Sequence, residues 1–237
     1  MPRDRESAKM QGPLRGRFYF VIVSFLMLLG VTPFLEMYPT FHFITDVMMA
    51  VVFLTLLYAV IEQRGFLVLA VFLLPFLISL ASKYWIRSPL FDHLASLSGA
   101  AFIAFSLFAI ARYIYRREEV SADVIGAAIV FYLLMGLMWS IVFEVLEYFE
   151  PGSFQMGDAP YSGERMPFVY YSFVTLTTLG YGDITPITPR ACALSIIEAI
   201  VGQLYLVIQI AWLVGMHISR TMEKKTRQTG PGARRRK

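Results

Sequence analysis

Thr177-Thr178-Leu179-Gly180-Tyr181-Gly182-Asp183 decides how the rest of this chain is read. Two glycines flank one tyrosine, and glycine accepts the left-handed dihedrals that other residues disfavour. A strand whose residues alternate between ordinary and mirror-image dihedrals aims every carbonyl to the same side. Four such strands around an axis stack rings of carbonyl oxygens, which can replace the water shell of a dehydrated cation. Thr178 adds a ring of hydroxyls beneath them. One chain cannot surround an ion in this way, so the motif implies four copies.

The sequence around the motif is that of a membrane protein. Its 237 residues are 57% hydrophobic, with a mean hydropathy of +0.60, unlike a soluble domain. Six apolar runs approach the roughly 20 residues that cross a bilayer: Phe18–Leu35, Ile44–Ile61, Gly65–Ala81, Leu90–Arg112, Val124–Phe149 and Ala191–Ser219. The first follows a basic segment, as the core of a signal peptide does, but no small-residue cleavage site follows Leu29-Gly30. It is read as a span. Between the last two runs, Phe168 to Thr178 is an apolar helix preceded by Pro167, a residue tolerated at helix starts. At about 1.5 Å per residue it covers only half the bilayer. It therefore re-enters, and irregular backbone at that depth must be buried or line water.

Charge orients the six spans. With both termini inside, 17 of the 21 Lys and Arg residues fall on the cytoplasmic side, leaving Lys83, Arg87, Arg165 and Arg190 outside. Positive residues favour that side. The net charge of +4 thus reports orientation, and contact with anionic lipid at the basic termini, rather than nucleic acid. The expected organisation is a cytoplasmic arm (1–17), a four-helix module (18–115), a cytoplasmic linker (116–123), a helix–loop–helix unit (124–219) and a basic cytoplasmic tail (220–237). Cys192 stands alone, so no internal disulfide forms.

Thr178-Leu179-Gly180-Tyr181-Gly182 resembles the selectivity filter of tetrameric potassium channels; Leu179 replaces one branched aliphatic residue by another. Tyr170 to Thr178 resembles that family's pore helix. The likeness extends from about Val124 to Met216, and over residues 1–123 it is only architectural. It implies an all-α homotetramer in the plasma membrane, each subunit with six transmembrane helices, a re-entrant pore helix and a filter. Thr178, Leu179, Gly180, Tyr181 and Gly182 are then the potassium-coordinating residues, potassium ions their only ligands, and no cofactor is implied. Tyr181 is expected to bond an aromatic cuff, with Tyr171 its partner and Tyr170 beside it, and Asp183 to sit behind the filter. Some relatives brace that aspartate with a glutamate nine positions earlier, where this chain has Val174. Thr185 falls where external blockers bind in relatives, and without an aromatic ring there, external quaternary-ammonium block is expected to be weak.

The last span resembles the inner helix. Gly202 matches the family's hinge glycine and equally suits close helix packing. Gln203, Leu206, Ile210 and Val214 share one helical face, expected to line the cavity and gate. Glu198 lies inside an apolar run, where ionisable residues are functional candidates. Two roles stand for it: a brace accepting from Ser172 or Thr175, or a proton sensor. Glu144, Glu147 and Glu150 recur at helical spacing before Pro151-Gly152, which ends the helix; Glu144 or Glu147 is expected to bond the outer end of the pore structure. The loop to Pro167, with Asp158 and Glu164, reads either as a cation-concentrating turret or as a solvated loop.

The four-helix module occupies the place of a voltage sensor but lacks its charges. Each charge that crosses 100 mV contributes only about 2.3 kcal/mol, so a sensor needs several. From Leu94 to Ala111 there is none, and Arg112, Arg116 and Arg117 follow at the cytoplasmic end. Passive, largely voltage-insensitive conduction is therefore expected. A voltage-modulated channel with an atypical sensor and a potassium-transporter subunit are the alternatives, although such transporters carry four pore repeats per chain. His42, His93 and His217 are scattered and no nucleophile or metal spacing appears, so no enzyme is expected.

Overall fold

A computed structural model of the chain describes residues 16–36, 42–60, 89–117, 120–156 and 166–229. Helix α1 is Arg17–Glu36, α2 His42–Val60, α3 Pro89–Tyr115 and α4 Ala122–Phe149; strand β1 is Phe154–Met156, α5 Met166–Leu176, β2 Ile184–Pro186 and α6 Pro189–Thr229. Among the described residues, three helical stretches are long and apolar enough to cross a membrane: Leu97–Tyr115 in α3, all of α4, and Pro189–Met216 in α6. Helices α1 and α2 stand where the first two spans were expected, with shorter apolar stretches, Arg17–Thr32 and Val47–Ala59. The expected third span at Gly65–Ala81, and the loop bearing Asp158 and Glu164, lie outside the described residues.

Local chemistry sets the boundaries. Ser121 is extended and its hydroxyl accepts the Val124 N–H, so it caps α4. Asp123, in the first turn, accepts the N–H of Gly16 at 2.7 Å and ties the start of α1 to the start of α4. At the far end, Gly152 takes a φ of 85° in the turn after Pro151, and α4 ends there as the sequence predicts. Glu147 fixes that turn by accepting from the N–H groups of Gly152 at 2.7 Å and Phe154 at 3.1 Å. Helix α6 continues ten residues past Ser219, since Pro231 is the first residue beyond that point that bars a helix.

Three apolar clusters hold these elements together. One joins α1, α2 and α3 to α4 through Phe18, Val21, Leu56, Phe102, Ile110 and Leu134. A second gathers Phe143, Phe154, Phe168, Tyr171 and Ala191 where α4, β1, α5 and α6 meet. The third packs Phe25, Leu28 and Val52 with Phe173 of α5 at its edge, and the Phe25 and Phe173 rings bring α1 directly against α5. Ser24 and Thr55 add a hydroxyl pair at 3.0 Å between α1 and α2. Among the described residues the fold is helical except for one ribbon, β1 antiparallel to β2, which pairs Gln155 with Thr185. Thr185 is therefore half-buried in that ribbon.

Candidate functional site

The expected alternation of backbone handedness is present. φ is 60° at Thr178, 59° at Gly180 and 79° at Gly182, so every second residue of the motif is left-handed and Leu179 and Tyr181 between them are not. The alternation begins in the cap of α5. Val174 accepts the Leu179 N–H at 2.9 Å while Thr175 accepts that of Thr178 at 3.0 Å. These are the two bonds with which helices commonly close around one left-handed residue, usually glycine. Here that residue is Thr178, and a β-branched side chain in this region is an outlier costing about 1–2 kcal/mol. The helix cap and the first inverted residue of the motif are thus one structure. Tyr132 of α4 completes the cap by donating to the Leu176 carbonyl at 3.0 Å.

Val174 is buried, and its carbonyl also accepts the Gly180 N–H at 3.3 Å. It supports the motif through its backbone. The brace on Asp183 that Val174 cannot supply comes from one helical turn earlier: Tyr170 donates to Asp183 Oδ2 at 2.6 Å, while Oδ1 accepts the Ile184 N–H at 3.1 Å. Tyr171 does not reach Tyr181 within the chain. Its hydroxyl lies 2.7 Å from that of Ser195 on α6, and its ring packs edge-on against Phe143 and Phe154. Tyr181 is 66% exposed.

The hydrogen bond from Tyr170 holds the Asp183 carboxyl below the usual carboxylate range. A lowered value in the folded state stabilises above the ordinary aspartate pKa of about 4 and is lost as pH falls through the folded value. Tyr170→Phe removes the donor. Its melting temperature is expected to lie below that of the parent by a constant amount above about pH 4, and the two should converge in stronger acid. A gap that widens on acidification would contradict this assignment.

Two glycines set the position of α5 between its neighbours. A Cβ at Gly202 would lie 2.6 Å from Leu176 Cδ1 and 3.1 Å from the Leu176 carbonyl. At Gly136 of α4 it would lie 2.7 Å from the Phe173 ring. Close packing is thus the role the geometry gives Gly202, and α6 runs through it without interruption. Gln203, Ile210 and Val214 are exposed on α6 and Leu206 is half-buried.

Glu198 is fully buried against α5. Ser172 Oγ lies 2.5 Å from Glu198 Oε1 and 2.8 Å from the Gly136 carbonyl oxygen. One hydroxyl hydrogen shared between two acceptors bonds each of them weakly. A proton on Glu198, donated to Ser172, would make both contacts full hydrogen bonds. Among the described residues Glu198 Oε2 has no hydrogen-bond partner, which costs less for a carboxylic acid than for a buried carboxylate. Glu198, Ser172 and Gly136 thereby link α6, α5 and α4 in one chain of bonds.

Sequence reasoning found Glu198, Ser172 and the motif itself. It missed Tyr132, Gly136 and the Tyr170–Asp183 pair. It also missed Tyr205, whose hydroxyl donates to the Ala128 carbonyl at 2.8 Å beneath a stacked Phe131 ring. Arg190 and Glu150 pair at 3.1 Å between the start of α6 and the end of α4.

Residues 124–217 match the family model described as "Ion channel". The match runs from Val124, in the first turn of α4, to His217 of α6, and so encloses the whole site. The matched class conducts ions and is non-enzymatic. No curated protein matches the chain.

Proposed function

We propose that this protein is a potassium-selective channel in which four copies bring the Thr178–Gly182 segments around one axis. The observation that carries the reading is the alternation of φ at Thr178, Gly180 and Gly182. That backbone turns successive carbonyls to one side, and carbonyl oxygens of Thr178, Leu179, Gly180, Tyr181 and Gly182 then substitute for the hydration shell of potassium. Residues 177–183 are all exposed in the single chain, as a surface completed by other copies requires. Much of α6 is also uncovered, with Ile196, Ile200, Leu204 and Val207 exposed at helical spacing. Among the described residues Tyr181 has no hydrogen-bond partner, and its side chain is exposed; a neighbouring subunit's cuff supplies one.

In this reading six spans cross the plasma membrane of the cell with both termini cytoplasmic, and the basic termini contact anionic lipid. Potassium moves passively. Gln203, Leu206, Ile210 and Val214 line the inner cavity, and the first four helices, without charges inside the fourth, leave opening largely voltage-insensitive. Gly202 allows close approach to Leu176, and its second role as a hinge belongs to an opening movement of α6. Native mass spectrometry of detergent-purified protein should give four times the 27.0 kDa chain, and vesicles containing it should take up potassium down its gradient. A monomer or dimer that conducts would overturn the tetrameric axis.

A further inference from the structure

Away from the conducting segment, a cavity of about 340 Å³ opens where α1 begins and where α2 and α3 end. Arg17, Arg112, Arg116 and Arg117 all line it, with Tyr113 and Ala59 between them. Arg17 is only 6% exposed. Its guanidinium sits 4.6 Å from the Tyr113 ring centre and 5.0 Å from that of Phe18, and Arg117 lies 4.6 Å from the same tyrosine ring. Among the described residues no carboxylate pairs with any of the four. Asp123, close in the fold, is engaged by the N–H of Gly16.

Positive charge at the cytoplasmic end of a span is explained by membrane topology alone, but only while it stays in water. Arg17 does not. A guanidinium removed from water needs an anion or a full set of acceptors, and aromatic faces replace only part of that loss. Four like charges around one small volume also repel each other. A multiply charged anion relieves both costs, and the planar forks of arginine suit phosphate oxygens in pairs.

We propose that this cavity binds a phosphomonoester or diphosphate group, with Arg17 as the buried anchor and Arg112, Arg116 and Arg117 closing on it from α3 and the residues just beyond. The site stands where apolar helices meet polar chain ends, which is the depth of lipid phosphates. The chemistry is shared by a phospholipid headgroup and a soluble phosphate, and competition separates them.

The test uses the full-length protein in phosphatidylcholine vesicles containing labelled phosphatidic acid, with binding read by fluorescence transfer at constant salt. The combined variant R112Q/R116Q/R117Q keeps the buried anchor and changes only exposed side chains. Charged hydrogen bonds of this kind are strong enough that affinity should fall about tenfold or more. A control variant replaces Arg234, Arg235 and Arg236 of the tail with glutamine and removes the same charge; it should lose only the diffuse attraction of the tail to anionic lipid, a much smaller fall than in R112Q/R116Q/R117Q. Labelled lipid that pyrophosphate cannot displace identifies a headgroup site; displacement at micromolar pyrophosphate identifies a soluble phosphate. Equal binding by parent and R112Q/R116Q/R117Q, or equal losses in both variants, would overturn the proposal. The readout is binding, so it stands apart from whether the protein conducts.

Discussion

Gly180→Ala is expected to abolish selective conduction while leaving the subunit fold intact. Gly180 has a φ of 59°, and an L side chain in that region costs about 1–2 kcal/mol. In the proposed tetramer, four copies on one axis raise this to about 4–8 kcal/mol. The cheapest relief is to rotate the peptide and turn one ring of carbonyls off the axis. At about 1.4 kcal/mol per decade, even the lower sum lowers the conducting population about a thousandfold. The fold itself has no objection: a Cβ at Gly180 meets nothing within 4 Å in the chain. Gly152 supplies the control, since its φ is 85° and its Cβ position is equally open. Gly152→Ala carries the same local strain in the turn after α4 and should conduct like the parent. Matching losses of potassium flux in the two variants would mean that backbone strain anywhere in the outer region suffices, and would remove the special status of the motif.

Glu198→Ala and Glu198→Gln are expected to separate widely. Alanine leaves a cavity at the junction of α4, α5 and α6, where large-to-small changes cost about 2–5 kcal/mol. Glutamine keeps the volume, and its amide N–H can donate to Ser172 as the protonated carboxyl does. Thermal unfolding of the assembled protein should therefore show E198A well below the parent and E198Q close to it. If E198Q is as unstable as E198A, a charged carboxylate holds the brace and the single-hydrogen argument at Ser172 fails. Conduction measured on the same samples separates the two roles that the sequence leaves open. A proton sensor would lose pH sensitivity in E198Q, whereas a brace would keep the parental profile.

The legible parts of the site share a property: each is written in residue types with few alternative uses. Two glycines two apart announce inverted dihedrals, Pro151-Gly152 announces a helix end, and a glutamate inside an apolar helix announces a partner. Other features depend on geometry that no local pattern encodes. Thr178 hides its left-handed conformation because threonine is a poor residue for it, and only the cap bonds to Val174 and Thr175 reveal why it is held there. The position of Val174 suggests an aspartate without a brace, yet Tyr170, one turn earlier, reaches Asp183 with a longer side chain. Gly136 reads as one more small residue in a membrane helix until the Phe173 ring is placed against it. Strands β1 and β2 have three residues each, too few to show a period of two. The cavity of arginines draws on three helix ends far apart in sequence, and Arg17 reads there as ordinary flanking charge.

In the proposed channel the Thr178–Gly182 segment selects potassium. The most direct test of that selectivity is the reversal potential of purified protein in a planar bilayer separating potassium from sodium solutions. Reversal near the potassium equilibrium potential is expected, with open probability nearly independent of voltage. Reversal near zero would contradict it, showing that the inverted backbone at Thr178, Gly180 and Gly182 does not discriminate between the two ions.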